Sequence, residues 1–148
     1  MVTEMDHLAM GLARAATEDS KCEGRIVGCV LLGKHGEILA SGTNTLPTGC
    51  AHHEERVLSP GKYQWVEHAE RSAIYGAARN GIPLGGSTAY TTLFPCCDCA
   101  RGLIESGVSR VVSYTPDLND PRWGEHFKVS LQMFSESGVD VAFLDGDA

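Results

Sequence analysis

HAERSAIYGAARNG, residues 68–81, and FPCCDCARGLIESG, residues 94–107, both read as helix starts, but neither opens the way a purely structural helix would. In the first, a histidine and a glutamate lead into an alanine-dominated run that Asn80-Gly81 ends. The second opens on cysteines, behind a Pro95 whose missing amide would have no partner in a first helical turn anyway. Cys96 and Cys99 have the spacing that lets two thiolates grip one metal ion, and the positive end of a helix favours thiolate over thiol. Standing alone, the pair would equally describe buried or redox cysteines. His68 changes the balance. One helix, a turn, a strand and another turn separate it from Cys96, enough to return both helix starts to one sheet edge. Residues two apart on a helix point away from each other, so His68 and Glu70 can serve one ion only if it lies beyond the helix end. His68, Cys96 and Cys99 then supply three ligands to a tetrahedral zinc whose fourth position stays open, the mark of a catalytic rather than a structural ion. Glu70 is not needed as a ligand and is free to move protons. Read as a carboxylate that merely favours its helix N-terminus, worth roughly 0.3–1 kcal/mol, Glu70 would leave the cysteines unexplained.

The surrounding sequence supplies alternating elements. Thr3 can cap a first helix with Asp6 three residues on, and Met5, Leu8, Ala9, Leu12 and Ala16 form its apolar face. Stretches 26–32 and 37–42 read as strands joined in a hairpin through GKHGE. Residues 43–66, with Pro47, Gly49, Pro60 and Gly61, read as a long functional loop. Beyond it come a helix over 68–79, a strand over 88–93, a helix over 96–105 and a strand over 110–114. A helix over 123–136 and a strand over 139–144 close the chain. A hairpin followed by helix–strand units predicts an α/β fold: three layers, α/β/α, around a mixed sheet of about five strands. No repeat or linker interrupts 1–148, which is expected to form one domain.

Composition narrows the partners. The chain has 148 residues, 43% of them apolar, and a net charge of −7. That charge argues against gripping a nucleic-acid polymer through its phosphates, and no stretch approaches a membrane span. The N-terminus carries acids where a signal peptide carries basic residues, so the cytoplasm is the expected location. Six cysteines without an export signal point to metal binding or reactivity rather than disulfides.

HxE followed by PCxxC is a zinc nucleobase-deaminase signature, and the chain resembles the cytidine and deoxycytidylate deaminase superfamily. HAERSAI, AARNG, TTLFPCCDCARGLIESGVSRVV and the upstream GTNTLPTG look most like its deoxycytidylate (dCMP) branch. Free-cytidine deaminases typically place a cysteine where His68 stands. Riboflavin-pathway deaminases space their cysteines farther apart, and transfer-RNA adenosine deaminases need a basic surface. Guanine deaminases share the core motif and remain the alternative enzyme; a zinc domain without catalysis, used for nucleotide sensing, is the alternative of another class. The resemblance implies a zinc-dependent hydrolase that converts dCMP to dUMP and ammonia, with one catalytic zinc per chain, a small nucleotide as substrate and a homo-oligomeric state. Two positions depart from the family pattern. Ser72 stands for an asparagine, and Thr45 for the second glycine of a GxNG loop.

The same resemblance nominates residues outside the motif. Asn44 would contact the sugar, and Arg25, just before VGC, would contact the phosphate. Tyr114, at a strand end, could donate its hydroxyl to that phosphate; Arg79 would hold a regulatory nucleotide. Cys22, Cys50, His52 and His53 form a second set of ligand types, the candidate site of an additional structural zinc that would tie down the 43–66 loop.

Overall fold

The computed structural model describes residues 1–22 and 24–146. Helix α1 (Glu4–Ala16) leads through a short 3-10 turn to the strands β1 (Gly28–Leu32) and β2 (Ile38–Thr43). Helical turns α2 (Glu54–Val57) and α3 (Lys62–Trp65) precede α4 (Ala69–Arg79), β3 (Thr88–Thr91), α5 (Cys97–Glu105), β4 (Arg110–Tyr114), α6 (Gly124–Ser137) and β5 (Asp140–Leu144). The sheet runs β2-β1-β3-β4-β5, with β1 antiparallel to both neighbours and β3, β4 and β5 parallel. The expected three-layer α/β fold is present. Side chains alternate across β1: Cys29 and Leu31 join the core under α4, α5 and α6, whereas Val30 and Leu32 join the core under α1. Burial on both faces explains why β1 reads as a continuous apolar run. Among the described residues no helix is long and apolar enough to cross a membrane.

The alanines of the first motif set its depth. Ala69, Ala73 and Ala77, four apart, are fully buried along one side of α4. A Cβ on Gly42 of β2 would lie 2.4 Å from the Ala69 carbonyl oxygen, so helix and strand touch backbone to backbone. Only small side chains fit that seam, and the close fit holds the mouth of α4 at the sheet edge.

Helix α1 corrects the sequence reading. The Thr3–Asp6 capping box forms as expected, but Met5, Leu8 and Leu12 are exposed and Asp6, Ala9, Met10 and Ala13 are buried. Two long-range features turn the helix. Backbone contact at Gly28, where a Cβ would sit 1.9 Å from the Ala13 carbonyl oxygen, demands small residues on the inward face. Asp6, in turn, is fully engaged. Its carboxylate accepts from Arg110 Nη1 and Nη2 at 2.8 and 2.9 Å, from the Tyr90 hydroxyl at 2.8 Å and from the Thr3 amide at 2.9 Å. The Arg110 hydrogen bonds hold the Asp6 carboxyl far below its ordinary value, outweighing the burial that opposes ionisation. A depressed folded-state pKa stabilises the fold above the unfolded value near 3.8 and loses that contribution as pH falls below it. Asp6→Asn should therefore lower the unfolding free energy at pH 7 by about 2–4 kcal/mol, since it strands Arg110 and Tyr90. In urea titrations the gap from wild type should narrow at pH 3; a gap independent of pH would show that the ion pair does not stabilise the fold.

The 43–66 stretch is more ordered than its composition predicts. Thr45 and Glu67 form an isolated bridge, with N–H···O distances of 3.2 and 2.8 Å, and Val57 of α2 is buried. A β-branched threonine suits that extended bridge, which accounts for Thr45 in place of glycine.

Candidate active site

Helices α4 and α5 lie side by side and begin at the same end of the sheet, because each follows a strand that points toward that edge. His68 and Cys96 are their N-cap residues, both in extended conformation, so their side chains project past the helix ends. His68 Nδ1 lies 3.4 Å from Cys96 Sγ and 3.4 Å from Cys99 Sγ. Bonds of about 2.0 Å to nitrogen and 2.3 Å to sulfur at a tetrahedral angle place such atoms about 3.5 Å apart. The spacing and the mixed nitrogen–sulfur donor set therefore fit zinc. Among the described residues, these three form the one group of three or more metal-ligating side chains whose ligand atoms lie within 4.8 Å of one another. Hydrogen bonds from Cys99 and His68 hold the Cys96 thiol well below its ordinary value, while the shared proton and burial raise Cys99; Cys96 in turn raises His68.

Glu70 is 4% exposed and lies beside the cluster. Burial, and then the charge of Cys96, raise its carboxyl to about 7. Thr91 Oγ1 lies 3.3 Å from Glu70 Oε1 but 2.9 Å from the Leu93 carbonyl oxygen. The hydroxyl has one proton and the shorter contact takes it, so the hydrogen bonds that favour the Glu70 carboxylate come from its own backbone amide and from Cys99.

A cleft opens from this corner, lined by His68, Glu70 and Cys96 at its inner end and by Arg25, Asn44 and Lys62 farther out. Asn44 holds the segment that carries Arg25: its Oδ1 accepts from the Val27 amide at 2.8 Å, and its Nδ2 donates to the Arg25 carbonyl at 2.9 Å. Arg25 reaches Asp120 at 3.2 Å. Ser72 packs its Cβ toward Gly42 rather than into the cleft.

Other nominated residues lie elsewhere. Tyr114 belongs to the core beneath α1, and its hydroxyl accepts from Arg14 Nε at 2.7 Å. The parity of β4 sends it to the face away from the motif, so it does not line the cleft. Arg79 is exposed at the far end of α4, about 16 Å along the helix axis from His68. Cys22 is buried at the cleft wall, whereas Cys50, His52 and His53 are exposed, and the four are not gathered into a ligand cluster. Cys29 packs in the core and Cys97 contacts His126 at 3.1 Å.

The sequence reading missed the aromatic wall. Trp123 packs edge-on against His68, ring centres 5.8 Å apart, and against Tyr63 at 6.3 Å, with the Arg122 guanidinium 3.5 Å from the Tyr63 ring centre. No local pattern announces this meeting of α3 with the loop before α6. Glu67 was also missed; its carboxylate accepts from the His68 amide at 2.9 Å and from Arg71 Nε at 2.6 Å, and the Glu–Arg spacing of four was a usable signal.

A model of the cytidine and deoxycytidylate deaminase zinc-binding region matches residues 3–115. A protein described as an uncharacterized deaminase in the luxG 3' region of Aliivibrio fischeri is 37% identical over 131 residues, 86% of this chain and 85% of its own. Human deoxycytidylate deaminase is 30% identical over 137 residues, 88% of this chain and 74% of the human protein. The dCMP deaminase of cyanophage S-TIM5, solved in complex with dCMP and dUMP, superposes with a TM-score of 0.77 at 26% identity, covering 97% of this chain and 99% of that one.

Proposed function

The chain belongs to the cytidine and deoxycytidylate deaminase family, and from that premise we propose that it is a single-domain zinc-dependent hydrolase converting dCMP and water to dUMP and ammonia. The observation that carries the reading is one cleft that joins a buried carboxylate and three zinc-type ligands to a cationic outer end. His68, Cys96 and Cys99 would hold the zinc, which when bound supplies the Lewis acidity that makes water acidic near neutral pH. Glu70 does the proton work. As carboxylate it takes a proton from the attacking water and passes it to N3 of cytosine, making C4 electrophilic. Once the water oxygen has bonded to C4, Glu70 takes the proton remaining on that oxygen and delivers it to the amine, so that the C4–N bond breaks, ammonia leaves and a C4 carbonyl remains. One group serves as base and then acid because the transfers are sequential, and burial, the largest influence on the Glu70 carboxyl, works against its charged form and so favours proton uptake. A zinc site without catalysis has no use for such a carboxylate.

Asn44 orders the loop at the sugar end and Arg25 faces the phosphate. The cation favours a nucleotide over free guanine as the ligand. Ammonia release across free bases, nucleosides and monophosphates tests the substrate; turnover of guanine in preference to dCMP would replace this reading. Arg25→Ala should lower kcat/KM for dCMP about 10-fold more than for deoxycytidine. That is the low end for a charged hydrogen bond, since the guanidinium is half exposed and shared with Asp120. Equal losses on both substrates would remove Arg25 from the phosphate.

A further inference from the structure

We propose that Lys62 is a second phosphate-binding cation, placed by α3 in the cleft that Arg25 lines, and that the two together select a nucleoside monophosphate over a nucleoside. The inference rests on the nucleotide reading above and extends it to a residue of the 43–66 stretch.

Lys62 opens α3 and lines the same cleft as Arg25, Asn44 and Glu70. Its ammonium lies 5.6 Å from the Tyr63 ring centre and 3.5 Å from the point that a Cβ on Gly24 would occupy, which places it beside the segment that carries Arg25. Its charge is felt at the buried Cys22 thiol on the cleft wall. Ion pairs among the described residues join Arg25 to Asp120 but none engages Lys62. The cleft lining therefore holds two cations at its outer end, and its one carboxylate, Glu70, lies at the inner end. In a chain of net charge −7, such a local reversal concentrates an anion. A phosphate monoester carries about −1.5 to −2 at pH 7; Asp120 already takes part of the Arg25 charge, so Lys62 supplies the cationic charge at this end that no ion pair among the described residues shares. The two bind differently: Arg25 offers a planar fork, whereas Lys62 offers a compact charge on a flexible stem that can follow the phosphate as the cleft fills.

The test compares kcat/KM for dCMP and for deoxycytidine with the zinc-loaded wild type, Lys62→Ala and Lys62→Arg. Lys62→Ala should cut the preference for dCMP about 10- to 100-fold, deoxycytidine falling at most a few-fold, and Lys62→Arg should restore most of that preference. Lys62→Ala combined with Arg25→Ala should abolish nearly all of it. A purely structural role would lower both substrates alike and leave the ratio unmoved, which would overturn the proposal. Wild type that prefers dCMP while Lys62→Ala keeps that preference defeats the role of Lys62 alone. Wild type with no preference for dCMP over deoxycytidine defeats the nucleotide reading, and Lys62 with it.

Discussion

Glu70→Gln protein should retain its zinc and lose turnover of dCMP by about 100- to 10,000-fold, the range spanned by a positioned acid–base group. The amide keeps the shape of the side chain and its first-turn position on α4, so His68, Cys96 and Cys99 stay where they are. What disappears is the one buried group in the cleft whose carboxyl is held near 7 and can both accept and release a proton. In the proposed mechanism both transfers pass through Glu70, and no neighbour would substitute: Thr91 already donates to the Leu93 carbonyl. Substrate affinity should change far less than turnover, and kcat should carry most of the loss. Near wild-type turnover in zinc-replete Glu70→Gln would refute the assignment.

The second large effect is expected at the metal ligands. Cys99→Ala should bring bound zinc from one equivalent per chain to nearly none, abolish activity and lower the melting temperature. Cys99 is fully buried, and with Cys96 it faces His68 across the gap between two helix starts. A metal bound there ties α4 to α5, so its binding free energy adds to folding. A ligand present at 1,000 times its dissociation constant contributes about 4.1 kcal/mol, and loss of that linkage lowers the melting point. Chelation of wild-type zinc should reproduce the shift, and restored metal should reverse it for wild type but not for the variant. Metal analysis that finds a full equivalent of zinc in Cys99→Ala would place the ion elsewhere.

The family model and the Aliivibrio fischeri and human relatives place the chain in its family, whereas the proposed residue roles rest on geometry. Two positions that depart from the family pattern are intelligible in those terms. Thr45 takes part in an extended bridge to Glu67, and Ser72 lies against Gly42 rather than in the cleft. Neither reaches the zinc-type ligands, so the departures bear on the loop and on the α4–β2 seam.

Residues 68–81 and 94–107 determined their part of the molecule unaided. Pro95, the CxxC spacing, the histidine at a helix mouth and alanines four apart are all local signals, and local signals place helix starts and choose ligand types. Where faces point, and which distant loops meet, was decided by the tertiary structure. The helix α1 looked apolar along Met5, Leu8 and Leu12, yet it turns inward through Asp6, because Arg110 and Tyr90 offer that carboxylate partners 104 and 84 residues away. Tyr114 stands at the strand end the sequence indicated, but pairing of β4 between β3 and β5 sends its ring to the opposite side of the sheet. Cys22 and Cys50 looked like a pair by type, and the fold buries one at the cleft wall and exposes the other. Trp123, Tyr63 and Lys62 reach the cleft from segments with no shared pattern. Sequence period and capping act over a few residues, whereas burial and pairing are settled by contacts that exist only once the chain has closed.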